Sequence, residues 1–327
     1  MPLAVFESME QYCNITLGFV SEMTEQKDDN VLRSCSDCIT YELRPESIGL
    51  NHDNPSEFIK SQWPVNQKVY IIYRLTVACG FTAWIAADIL YESQEFYKSR
   101  PWDYLIYATN WSFILLGLTI LFQSVTTCFY SVRSFNCLDR QTFERMPIAL
   151  KVQWILQNLG YNSALVVTAS YWSFIVFLDS SRVLQSEMSR IKHTLNSVYV
   201  VVDILISGAP IRVLHLLYTV SLGSVYSLFN AAYFLNNGTI LDGNHYAYNL
   251  LDWRKPAEAI VTCILCVIMC VFSQVILYQI YKLRSLIFSQ IYFRNGQKPE
   301  SETEHILTEP TGYMTMVDRI DSIEVQE

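Results

Sequence analysis

Apolar side chains in this chain gather into runs of about 20 residues, the length needed to cross roughly 30 Å of hydrocarbon, and short polar connections separate them. Several runs are apolar all round rather than along one stripe, so lipid is the solvent they fit. The pattern predicts an all-α, polytopic membrane bundle over 68–285, with six transmembrane helices at 69–90, 104–129, 150–178, 191–208, 211–235 and 257–281. The apolar stretch 191–235 is divided because Ser207-Gly208-Ala209-Pro210-Ile211-Arg212 combines Gly, Pro and a charge, a combination that stops a helix. Outside the bundle lie a polar N-terminal tail, 1–67, and an acidic C-terminal tail, 286–327, whose composition predicts disorder.

Composition sharpens this picture. Of 327 residues, 51% are hydrophobic and only 17% charged, and the net charge of −8 belongs mainly to the tails. The first residues carry acids and no basic n-region, so the first span is expected to act as its own targeting signal. Six spans put both tails on one side of the membrane. Basic residues near the span ends, including Lys282 and Arg284 after span six, favour that side and predict cytoplasmic tails. The sequon Asn237-Gly238-Thr239 then faces outward as a glycosylation site, Asn14-Ile15-Thr16 stays cytosolic, and Asn110-Trp111-Ser112 lies within a span. Nine cysteines form no secreted disulfide pattern; Cys35 and Cys38 make one lone CxxC, short of a metal site, and no metal is expected.

Polar residues inside the spans are the candidate chemistry, because ionisable groups in hydrocarbon are costly and turn towards protein or a cavity. His193, Asn196, Asp203 and Ser207 share one face of span four, and Asn158 and Asn162 stand one turn apart on span three. Arg74 and Asp88 share a face of span one. The arrangement predicts an intramembrane ion pair between Arg74 and Asp203, and a polar pocket drawing on Asp88, Asn158, Asn162, His193 and Asn196. Such a pocket suits a receptor or transporter for a small or lipidic ligand; the competing reading is that these groups join helices through hydrogen bonds. In the C-terminal tail, Tyr313-Met-Thr-Met316 fits a phosphotyrosine motif for an SH2-domain partner and equally an endocytic signal. No P-loop, dinucleotide fingerprint, HExxH or nucleic-acid motif appears, and no cofactor is expected.

Several strings occur together: His193-Thr-Leu-Asn196-Ser, Ser207-Gly-Ala-Pro210, His215-Leu-Leu-Tyr218 and Tyr246-Ala-Tyr248-Asn-Leu-Leu251-Asp252-Trp253. They resemble the rolling stone family over about 61–282. That resemblance implies a non-catalytic, multi-pass plasma-membrane protein with membrane lipids and a membrane or cell-surface protein as partners; the family is named for an insect member implicated in myoblast fusion. A more distant likeness is to the androgen-induced family of six-pass hydrolases, which cleave fatty-acid esters with an intramembrane Thr and His. Where that family has Trp-x-Phe-Leu-Thr, this chain has Trp111-Ser-Phe113-Ile114-Leu115, with Leu115 in the nucleophile's place, and Asn196 stands where the catalytic His would be. A nucleophile needs an adjacent base, so the likeness implies the scaffold without the chemistry. Thr119, one turn beyond Leu115, and His193 keep an intramembrane ester hydrolase open as the alternative.

Overall fold

The computed structural model describes residues 40, 42–98, 100–136, 145–178, 182–240 and 243–294. Tyr313, Met316, Asn14, Cys35 and Cys38 lie outside them. The chain divides into two units, Gly49–Ser285 on one hand and Met1–Ile48 with Leu286–Glu327 on the other. The second of these contains the 3-10 turn Pro45–Ile48.

Among the described residues the first unit holds six long helices, the last of them continuing past the unit's boundary at Ser285: α1 Gln67–Glu92, α2 Ala108–Asn136, α3 Ile148–Ser170, α4 Glu187–Ile206, α5 Leu216–Leu235 and α6 Pro256–Arg294. Local sequence explains their ends. Asn66 caps α1 by accepting from Lys68 N at 2.9 Å, and Ser186 caps α4 by accepting from Ser189 N at 3.1 Å. Helix α6 starts on a proline, which needs no amide partner there. Helix α5 closes in a Schellman turn: Asn237 takes the left-handed conformation (φ 54°), its amide meets Phe234 O at 3.0 Å, and the Gly238 amide meets Tyr233 O at 2.9 Å. A side chain at position 238 would run into the Tyr233 ring, which is why glycine follows.

Among the described residues five segments are long and apolar enough to cross a membrane: Gln67–Tyr97, Ala108–Arg133, Ile148–Leu178, Val213–Leu235 and Pro256–Ile291. The first and third are lengthened by π-helical turns, Ser93–Tyr97 and Tyr171–Ile175. Helix α4, expected as span four, has the length but not the composition, since Glu187, Arg190, Lys192 and Asp203 interrupt it. Its buried face carries Lys192, His193, Asn196 and Asp203, while Ile191, Leu195, Val198 and Val202 are exposed. The whole bundle shares this inversion: Ile72 is 63% and Leu228 71% exposed, whereas Arg74, Gln123, Asn162 and Gln274 are buried. Apolar outside and polar inside is the arrangement for a lipid solvent.

Helix α3 is the hub, packing on α2, α4 and α5. It approaches α2 closely at Gly160, where a Cβ would fall 2.5 Å from Thr119 Oγ1. Two expectations are corrected. Residues 49–66 are not part of a polar tail: the 3-10 turn Pro55–Ile59 buries Phe58 and Ile59 beside Leu150, Trp154 and Ala209, and Gly208 N donates to Lys60 O at 3.0 Å. At the other end α6 continues to Arg294, so the expected tail begins as helix.

Candidate functional site

Two ionic clusters occupy the interior. In the first, Arg74 of α1 lies 2.6 Å from Asp203 of α4, both buried. Every nitrogen of Arg74 and both oxygens of Asp203 are hydrogen-bonded, while the Tyr199 hydroxyl beside them has no partner. The guanidinium donates to Gln123 Oε1 (3.2 Å) and twice to the Tyr70 hydroxyl oxygen (2.9 and 2.6 Å). Asp203 in turn accepts from Tyr73 (3.2 Å) and from the Tyr161 hydroxyl. Gln123 carries the network into α3 through Gln157 and Tyr161. Four helices meet in one polar knot, which offsets the desolvation of the pair through good geometry and many hydrogen bonds.

The second cluster joins the other ends of α1 and α4. Lys192 Nζ donates to Asp88 Oδ2 (2.9 Å), Glu92 Oε1 (2.7 Å) and Asn110 Oδ1 (2.8 Å). Tyr104 donates to Asp88 Oδ2 at 2.9 Å and Tyr97 to Glu92 Oε2 at 3.0 Å. None of Asp88, Glu92, Asn110 and Lys192 exceeds 2% exposure. Asn110, the first residue of a sequon within a span, is thus consumed inside the protein.

The residues expected to share a pocket are dispersed. Asp88 meets Lys192. Asn158 and Asn162 are brought together instead by Gln274 of α6, which donates to Asn158 Oδ1 at 3.4 Å and accepts from Asn162 at 2.7 Å, while Asn158 also meets His215 at 3.0 Å. His193 stacks on Tyr171, ring centroids 4.1 Å apart, and neither ring nitrogen has a hydrogen-bond partner; nor has Asn196 Oδ1. Thr119 gives its hydroxyl to the carbonyls of Leu115 and Leu156, 2.8 Å each, across the α2–α3 contact. Asn237 is exposed on the turn after α5.

Periodic polar faces do not reveal Lys192, Glu92, Gln123, Tyr161 and Gln274, because the first two lie near span ends and the others are two glutamines and a tyrosine set in apolar runs. Arg284, expected as part of the basic flank at a cytoplasmic face, also has an interior role. It is 1% exposed and donates to the carbonyls of Ile204 (2.9 Å), Gly208 (3.2 Å) and Ser207, closing the C-terminus of α4. A cation on the last carbonyls of a helix is favourable, and the Ser207–Pro210 string beside it is the signal that could have revealed this role. The Tyr246–Trp253 string is likewise structural: Trp253 Nε1 donates to Asn230 at 2.8 Å, Asp252 grips Arg254 at 2.8 Å, and the Tyr248 hydroxyl accepts from Thr109 N at 3.3 Å. Among the described residues no three His, Cys, Asp or Glu side chains are grouped to hold a metal ion.

The family model described as Protein rolling stone matches residues 30–295. Protein rolling stone of Drosophila melanogaster is 32% identical over 253 residues, covering 75% of this chain and 89% of that relative. No solved structure matches.

Proposed function

We propose, since this chain belongs to the rolling stone family, that it is a non-catalytic plasma-membrane protein of six spans that acts in cell-to-cell interaction, with myoblast fusion as the process to test first. Helix α4 is the sixth span: its 20 residues reach about 30 Å and its apolar residues face outward. Six spans leave both tails in the cytosol and the exposed Asn237 outside, open to glycosylation.

The observation that carries the non-catalytic reading is the commitment of Thr119. Its one proton is engaged by two backbone carbonyls, and His193 is held apart on Tyr171. An alcohol without a base is a poor nucleophile. The remaining interior polar groups join helices, which is work for a scaffold. Receptor and transporter readings lose support because Asp88 belongs to one network and Asn158 and Asn162 to another, while His193 stacks on Tyr171 outside both.

The test pairs two assays. Purified protein is exposed to a fluorophosphonate probe and a panel of fatty-acid esters, and two cell populations carrying complementary halves of a fluorescent reporter are mixed with and without the chain. No labelling, with mixed-content fluorescence that depends on the chain, is the expected result. Labelling and turnover that vanish in His193→Ala would make the protein a hydrolase, and unchanged cell mixing would remove fusion.

A further inference from the structure

The Lys192 cluster does not balance in charge. The charged groups that face it are Asp88 and Glu92 from α1 and Lys192 from α4; α2 contributes the neutral Asn110, and the adjoining turns contribute the neutral phenols of Tyr97 and Tyr104. Neighbouring charges are spent elsewhere. Asp103 pairs with Arg100 at 3.1 Å, Arg190 pairs with Glu187 at 2.9 Å, and His193 turns to Tyr171. One ammonium therefore faces two carboxylates, all within 2% of full burial. A surplus negative charge in an apolar interior demands compensation.

A second observation says where. Asp88 Oδ2 accepts from both Lys192 and Tyr104, but Asp88 Oδ1, in a side chain with no exposure, has no hydrogen-bond partner. Both oxygens of Glu92 are bonded, to Lys192 on one side and to Tyr97 and Asn110 on the other. We propose that the Asp88–Glu92 pair is a binding site for one monovalent cation, a proton or an alkali ion, received at the unpartnered oxygen of Asp88. The donor set is all oxygen, which suits a hard cation, and the surplus is one unit of charge, too little to call for a divalent ion.

The site has a consequence for the bundle. Lys192 is the ion-pair link from α4 to this end of α1, so a bound cation stabilises the α1–α4 contact, and the folded state follows the cation's concentration by mass action. With a proton as ligand, folding near neutral pH takes up one proton. The unfolded chain then binds fewer protons, and stability rises as pH falls, by up to about tenfold in the folded-to-unfolded ratio per pH unit.

The experiment is thermal unfolding of the full chain in nanodiscs across the neutral pH range, with sodium, potassium or N-methylglucamine as the only added cation, for wild type and Glu92→Gln. The variant removes the surplus charge and keeps an amide oxygen for Lys192. Stabilisation of the wild type by acid in every salt, beyond what the buried Glu57 gives wild type and variant alike, identifies a proton. Stabilisation by sodium or potassium over N-methylglucamine at fixed pH identifies an alkali ion. In either case the dependence is lost in Glu92→Gln, or in Asp88→Asn should Glu92→Gln not fold. A proton held throughout the range shows instead as the infrared carbonyl band of a protonated carboxylic acid, absent from the variant. Indifference to pH and salt together with no such band overturns the proposal, as does an identical dependence in wild type and variants.

Discussion

The two ionic clusters lie on the same pair of helices and differ in their arithmetic. Around Arg74 one cation meets one carboxylate, and Tyr70, Tyr73, Gln123 and Tyr161 satisfy the remaining positions. Around Lys192 one cation meets two carboxylates and one oxygen is left over. A closed network fixes geometry and offers nothing to a ligand, whereas an open one retains a site. Burial and helix periodicity do not distinguish them; only counting charges and donors does.

The strongest way to break that contrast is to unbalance the balanced cluster. Arg74→Met leaves Asp203 buried without its counter-ion, and removal of one partner of such a pair costs about 3–5 kcal/mol. The expected result is loss of folded protein in detergent, measured by thermal unfolding. The double variant Arg74→Met with Asp203→Leu should recover most of it, because two apolar residues of similar volume are near neutral in place of a buried pair. A double variant as unstable as the single one would show that the knot is held by its tyrosines and glutamine, not by charge.

Next in size comes the phenol at each carboxylate. Tyr161→Phe removes a donor to Asp203 and Tyr104→Phe a donor to Asp88. Hydrogen bonds to charged groups contribute about 1.5–3 kcal/mol. In the closed cluster the full loss is expected, since Asp203 Oδ2 has no hydrogen bond besides that from Tyr161; at Asp88 a bound cation compensates, so the loss in Tyr104→Phe should be the smaller of the two. Equal losses in paired unfolding measurements would erase the distinction between the clusters.

How far the sequence reached follows the same logic. Spans are legible because hydrocarbon thickness imposes a length, and the five apolar segments announce themselves. The pairing of Arg74 with Asp203 is legible because each is a charge set in an apolar run, towards the same half of the membrane, and a charge in hydrocarbon needs a partner. Lys192 was illegible because a lysine near a helix terminus reads as a snorkelling surface residue; only the tertiary approach of α1 makes it a buried bridge. The folded segment 49–66 was illegible for a related reason. Its polar composition describes a surface loop, yet Phe58 inserts beside Trp154, and Arg212 donates to the carbonyls of Gly49 and Asn51 at 3.2 Å each.

That segment supplies a control of opposite sign for the pH experiment. His52 packs edge-on against Phe58 and Trp154, and its Nδ1 accepts from Asn54 N at 3.1 Å. Burial first, and the Arg212 charge second, lower its pKa from 6.5 to about 4. Between those values the unfolded chain binds a proton that the folded chain refuses, so stability falls as pH drops through 6.5 and the loss levels off near 4. His52→Gln should remove its share of the acid loss, in that window only. Glu57, 3.7 Å from His52 Nε2 and raised by burial from 4.5 to about 7, stabilises on acidification over an overlapping range, so the carboxylate pair is read from wild type against Glu92→Gln and the histidine from wild type against His52→Gln.

The smallest expected effect concerns His193, which belongs to neither cluster. Its ring is buried against Tyr171 and both nitrogens lack partners, so the imidazole bears a desolvation cost with no hydrogen bond in return. His193→Phe keeps an aromatic ring of similar thickness for the stack and deletes the unpaired nitrogens. Thermal unfolding should therefore change by no more than about 1 kcal/mol, in the stabilising direction if the ring fits. The same substitution abolishes any role for His193 as a base or a ligand contact. Preserved stability with lost cell mixing would move His193 from packing to function, and a large loss of stability would mean that its nitrogens are hydrogen-bonded through water, which would class it with the closed cluster after all.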